Sequence, residues 1–313
     1  MMEESTVDSR QSTVTEPRAA QGQELAYRFR PTAVVDVEGA DRIPFLQGQL
    51  TQDVKAVRLG ETREAAGLTP KGKLIFIARL HALPDRLRLI LPSSSREAVI
   101  AHLRKYALFQ KVTVVDSSDA FLRIGLYGAT PGEGLPESVT RLPGEGELAA
   151  EILLPVTARH EMEAWLRARA ARPLSDEEAD IRRVEAGRPR FGQDADESNL
   201  PDEVGLDEAI STTKGCYVGQ EIVARMRTYG RANRRLVGFR FPEGAIPAGA
   251  LLKLPDESEP GKIVQGRVTS SVLSPRFGAI GLGYAFREVP LGGCLVSAAD
   301  PPHSAIVAEL PFA

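Results

Sequence analysis

The stretch TTKGCYVGQEIVARMRTYGRANRR, Thr212 to Arg235, decides how the rest of the chain is read. One cysteine, Cys216, stands beside Lys214 and two glycines just ahead of a helical run expected from about Gly219 to Arg227. A thiol near a helix N-terminus, with Lys214 and Arg225 close in sequence, is a candidate reactive or ligating sulfur. The competing reading is a small buried hydrophobe, because free cysteines are often core residues. Arg225, Arg227, Arg231, Arg234 and Arg235 cluster here as well. They fit either a carboxylate- or phosphate-binding patch or a solvated helix face and linker.

Downstream of this stretch the pattern changes. Leu236–Phe241, Leu251–Leu254, Ile263–Val272, Ala279–Ala285, Cys294–Ser297 and Ile306–Leu310 read as short strands punctuated by Gly and Pro, which predicts a small barrel or sandwich after a boundary near residues 230–235. Upstream, strands and helices alternate. Strands are expected at Thr32–Val37, at Lys73–His81 and Arg86–Leu91 as a hairpin around Pro84-Asp85, and at Lys111–Val115, Phe121–Tyr127 and Leu148–Leu154. Helices are expected at Ile43–Leu50 with Asp41 as N-cap, after the capping box Ser94/Glu97, and at Glu161–Arg169. A further helix over 175–186 has the capping box Ser175/Glu178 and Gly187 as its left-handed stop. The pattern is α+β throughout.

With 313 residues the chain exceeds what one core usually serves. Lys plus Arg number 39 against 42 Asp plus Glu, so no global charge favours nucleic acid or anionic lipid, and any polyanion site must be local. No apolar run approaches the length of a membrane span. Cys216 and Cys294 are too few for a disulfide framework, which points to a reducing, cytoplasmic setting. Residues 1–24 carry several acids and no apolar stretch, and read as a disordered tail rather than a targeting signal. His81, His102, His160 and His303 lack metal spacing and read as surface or satisfied side chains, so no metal site is expected. Gly144-Glu145-Gly146 and Gly281-Leu282-Gly283 lack the context of a dinucleotide fingerprint and read as turns or tight strand positions.

KGCYVGQE, Lys214 to Glu221, strongly resembles the signature of YgfZ-type folate-binding proteins, relatives of the glycine-cleavage T-protein (GcvT, aminomethyltransferase) superfamily. FLQGQLTQD (Phe45–Asp53), DIRRVEAG (Asp180–Gly187), GRVTSS (Gly266–Ser271) and IGLGY (Ile280–Tyr284) extend the likeness over nearly everything but the tail. The resemblance implies a ring of two interleaved ferredoxin-like α+β units over residues 25–232, with a C-terminal β-barrel over 233–313 and reduced folate in the central hole. It implies Arg183 as partner of the folate glutamate carboxylate with Glu185 nearby, and Tyr217, Gln220, Lys214 and Arg225 as further folate-binding residues. For Arg183 the alternative is an intrahelical pair with Asp180 or Glu178, and for Tyr217 a core aromatic.

T-proteins carry paired acids where this chain reads KGKLIF, Lys71 to Phe76, so Ile75 and Phe76 replace the acidic pair and aminomethyl transfer is not expected. What the resemblance implies instead is tetrahydrofolate or a derivative as cofactor, and support for assembly or repair of iron–sulfur clusters in client enzymes, including tRNA-modifying ones, with Cys216 as functional thiol. The competing functions are a folate-dependent one-carbon transferase drawing its acid from Asp53 or Glu203, and a tRNA-binding module using the arginine cluster.

Overall fold

The computed structural model describes residues 24–128, 131–144, 146–230, 232–255, 264–297 and 301–313. The expected tail, apart from Glu24, and Ile263, at the start of one expected strand, lie outside the described residues, as does Arg231.

Strand β1 (Ala26–Arg30) is followed after Pro31 by β2 (Thr32–Glu38), and the two enter different sheets. Proline supplies no N–H to either ladder, so the crossing costs no hydrogen bond at that position. The chain then builds one complete layer: α1 (Arg42–Gln49), β3 (Thr62–Leu68), β4 (Leu74–Ala82), β5 (Arg86–Pro92), α2 (Arg96–Ala107) and β6 (Thr113–Asp116). The sheet order is β3-β4-β5-β2-β6. Val35, Leu46, Phe76, Leu89 and Leu103 form its core with the two helices.

The second layer returns to the sheet that β1 began. It adds β7 (Phe121–Tyr127), β8 (Thr140–Pro143), β9 (Leu148–Pro155), α3 (Arg159–Ala168) and β10 (Arg172–Pro173), in the order β10-β1-β7-β9-β8. Met162, Trp165 and Leu166, at i, i+3 and i+4 of α3, pack on Ile124, Ile152 and Leu154. Because β1 precedes the first layer and β7–β10 follow it, the two α+β units are interleaved in sequence. They meet where Val34 and Ile90 of one sheet pack on Leu142 and Leu153 of the other.

Helix α4 (Asp176–Glu185) leads through α5 (Pro201–Val204) and α6 (Gln220–Tyr229) to the barrel. Its strands are β11 (Arg234–Arg240), β12 (Leu251–Lys253), β13 (Gly266–Ser274), β14 (Gly278–Phe286), β15 (Cys294–Ser297) and β16 (Ser304–Ala308), closed in the order β11-β14-β13-β12-β15-β16. Gly283 is required on β14, since a Cβ there would stand 2.1 Å from the Arg267 carbonyl. The Gly281-Leu282-Gly283 segment is thus the tight strand position expected of it.

The Ser175/Glu178 capping box closes in both directions and Gly187 follows with φ +69°. Three local expectations are corrected. Asp41 precedes α1 but its carboxylate accepts from the Lys111 amide instead of capping the helix. Ser94 lies in a 3-10 turn, so α2 starts at Arg96 without the Ser94/Glu97 box. Strands β1, β3, β8 and β10 are not among those expected, and the last strand sits two residues earlier than read. In β3, TREAAGL has no alternation of its own; it is a strand because β4 supplies its ladder and the Phe76 ring lies where a Gly67 side chain would be.

Candidate functional site

The KGCY loop is built around the lysine. Lys214 Nζ donates to the carbonyls of Gln47 (2.6 Å), Leu50 (2.6 Å) and Gln52 (2.9 Å), so its three N–H bonds satisfy the end of α1 and the residues after it. Burial pushes its pKa down to about 8. The amide of Val218 bonds Gly48 O at 3.0 Å, which ties the loop to the same helix. Gly219 then takes φ +83°, and a Cβ there would lie 2.6 Å from Thr69 O. Tyr217 is buried beside Leu68, Leu74, Val223 and Tyr284, with the Lys214 ammonium 4.9 Å from its ring centre. Cys216, between these two anchors, is exposed. Arg225 is exposed on α6 and Gln220 half-buried at its start.

An arginine-lined cavity lies elsewhere, where β4, β5, β1, β7 and β9 converge with the segment after α4. It holds about 220 Å³ and is lined by Arg30, Arg79, Arg123, Arg183, Arg188 and Arg190, against Glu64, Glu147 and Glu151. Ile77, Phe191 and Leu206 supply apolar wall. Its central ion is Glu151, buried, hydrogen-bonded by Arg30 and Arg79 and 3.8 Å from Arg123. Burial alone would raise this carboxyl; Arg123, Arg30 and Arg79 outweigh it and hold the pKa down to about 2.

Of the six residues tied to folate by resemblance, the structure brings one, Arg183, to this cavity. Its guanidinium is already engaged: Nε to Asp180 (2.9 Å), the first terminal nitrogen to Asp194 (2.6 Å) and Arg188 O (2.8 Å), the second to Ser270 Oγ (2.8 Å). Both the intrahelical pair and a tie to the barrel are therefore present. Asp194 is the hub, also accepting from Thr269, Ser270 and the Arg190 amide. Glu185 turns to the barrel and accepts from Ser274 at 2.5 Å. Lys214 and Tyr217 are packing and anchoring residues, and with Gln220 and Arg225 they lie outside the cavity lining.

Phe76 is fully buried under α2, its ring 6.0 Å from that of His102, and Ile75 packs on the same core. The face of β4 that meets the cavity is Ile77 and Arg79. Asp53 accepts from Gln47, and Glu203 is held by Arg234, Asn199 and the Leu200 amide; neither lines the cavity. In the arginine cluster, Arg227 pairs with Asp202 and Asp207, Arg234 with Glu203, and Arg235 bonds backbone carbonyls.

The histidines need one correction. His102 is neither exposed nor satisfied: it is buried, and its Nε2 has no hydrogen-bond partner. Among the described residues no group of three or more His, Cys, Asp or Glu is placed to hold a metal ion. No helix of the described residues is long and apolar enough to cross a membrane.

The arginine-rich half of the site escaped sequence reading because its members, from residues 30, 79, 123 and 188, share no local motif. One signal was present: arginines alternating with apolar residues inside strands, as in Arg79 of β4 and Arg123 of β7, mark buried positions that need an acid partner.

Two α+β units interleaved in sequence, with a closed barrel after them, are the fold this chain shares with a glycine-cleavage aminomethyltransferase. The solved aminomethyltransferase T of Bartonella henselae superposes with a TM-score of 0.82 at 22% identity, over 93% of this chain and 86% of that one. The chain belongs to the YgfZ family: it is 30% identical over 234 residues to the tRNA-modifying protein YgfZ of Yersinia pseudotuberculosis, covering 69% of this chain and 71% of that protein. A Haemophilus influenzae protein of no stated function is 34% identical over 66% of this chain and 70% of its own length. No family model matches the chain.

Proposed function

We propose that the protein binds tetrahydrofolate or a derivative in its central cavity and supports assembly or repair of iron–sulfur clusters in cytoplasmic client enzymes, tRNA-modifying enzymes among them, with Cys216 as the working thiol. The observation that carries the folate half is the lining itself: six arginines against three glutamates, beside Ile77, Phe191 and Leu206, suit a ligand with a flat ring body and an acidic tail. The YgfZ relatives, named for tRNA modification, and the aminomethyltransferase fold point the same way. The burial of Phe76, where an acid would be needed, supports binding without aminomethyl transfer. Exposure of Cys216 away from the cavity fits a thiol offered to a protein-borne cluster.

Calorimetric titration of 5-formyltetrahydrofolate into the wild type and Leu206→Trp tests the cavity. Micromolar binding that weakens at least about tenfold when the indole fills the wall is expected. Absence of binding to the wild type overturns the folate reading. Full restoration of iron–sulfur enzyme activity in a deletion strain by Cys216→Ser overturns the thiol's role.

A further inference from the structure

Among the described carboxylates of the cavity, one oxygen has no hydrogen-bond partner. Glu147 stands between the turn that ends β8 and the first residue of β9, lines the cavity, and its Oε2 is buried without a hydrogen bond. The neighbouring acid, Glu151, is engaged by Arg30, Arg79 and Arg123. A buried carboxylate oxygen left without a donor is costly, and native interiors rarely keep one unless something outside the chain completes it. Burial raises the Glu147 pKa, opposed first by a hydrogen bond from its own backbone amide and then by Arg30, Arg188 and Arg183. The group is therefore ready to accept a hydrogen bond that is not yet made, and any donor placed on it favours the ionised form.

We infer that Glu147 is the specificity-determining residue of the cavity and accepts hydrogen bonds from an amino group and adjacent ring N–H on the edge of a bound heterocycle. Two adjacent N–H donors match a carboxylate as a guanidinium does, and no cation is needed in a cavity that already holds six arginines. The arginines then face the acidic end of the ligand, and Glu147 sets which end enters. This rests on the folate reading, because the amino-pyrimidinone edge of reduced folate is the donor pair in question.

The test is a double cycle with wild type and Glu147→Gln against 5-formyltetrahydrofolate and its 2-desamino analogue, read by calorimetry, with Glu147→Asp as a second variant. Thermal unfolding of each variant is measured first; removing an unpaired buried acid is expected to leave the melting temperature unchanged or raised. Expected is at least about a tenfold loss of affinity for the parent ligand in Glu147→Gln and a similar loss for the analogue in wild type. The two losses do not add, since both delete one contact. Glu147→Asp, one methylene short, retains part of the preference for the parent. If wild type binds the parent and Glu147→Gln binds it equally, the inference fails while the folate reading stands. Additive losses also overturn it. If wild type binds neither compound, the folate reading itself fails and takes the inference with it.

Discussion

Lys214 Nζ and the carbonyl oxygen of Leu50 are 2.6 Å apart across 164 positions of sequence, and the same ammonium holds Gln47 O and Gln52 O. The two motifs FLQGQLTQD and KGCYVGQE thus form one structural unit: the lysine of the second terminates the helix of the first. Cys216 is presented by that unit, two residues past the lysine, with Tyr217 anchored in the core beside it.

Replacing Lys214 by Met keeps the length of the stem and orphans three carbonyls. A loss of about 2–4 kcal/mol in unfolding free energy is expected, read by denaturant titration. Lys214→Arg does not recover it, because a planar fork cannot converge on three carbonyls as an ammonium tripod does. An unchanged midpoint for Lys214→Met contradicts this role.

Glu151→Gln leaves Arg30, Arg79 and Arg123 around a neutral group, and a loss of about 3–5 kcal/mol is expected at pH 7. The pH dependence follows from the pKa of about 2 in the fold against 4.5 unperturbed. A depressed carboxyl contributes stability that is complete above the unfolded value and is lost as pH falls from about 4.5 toward 2. Acid unfolding of wild type is therefore steeper in that window than that of the variant.

His102 gives a second window. Its pKa is lowered from 6.5 to about 4, by burial first and by Lys105 second, so the unfolded chain binds a proton that the folded chain refuses. Stability from this site is complete above about 6.5 and declines as pH falls to 4, by on the order of 2 kcal/mol after allowance for partial solvation. His102→Leu keeps the contact with Phe76 and Tyr106. Its melting temperature relative to wild type is expected to rise on going from pH 7 to pH 5.

Cys216→Ser is expected to change stability by less than about 0.5 kcal/mol, because the side chain is exposed and packs on no core cluster. On the proposed role, iron–sulfur enzyme activity in a complemented deletion strain is expected to fall while the melting curve does not move. A large stability change places the thiol in packing instead.

Much of the architecture was legible where local chemistry is strong. The Ser175/Glu178 box, Gly187, the Pro84-Asp85 hairpin and the amphipathic repeat of α3 each encode their own conformation through nearby groups. Ser94/Glu97 has the same letters as a capping box and does not form one, since the 3-10 turn over Ser93–Ser95 moves the helix start past it. β3 has no pattern of its own and exists through β4.

The sequence by itself determined the family, through KGCYVGQE and its companion motifs, the α+β order ahead of a β-rich C-terminal part, and Cys216 as the candidate thiol beside a lysine and a helix start. Only the tertiary structure decided what those residues do. It showed Lys214 spending its charge on α1 and Arg183 joining α4 to the barrel, and it assembled the charged cavity from arginines and glutamates scattered between residues 30 and 190. The reason is physical: capping and periodicity act over a few residues and are written locally. The partner of a buried charge is fixed by which strands become neighbours, and interleaved sheets bring together positions that no local pattern connects.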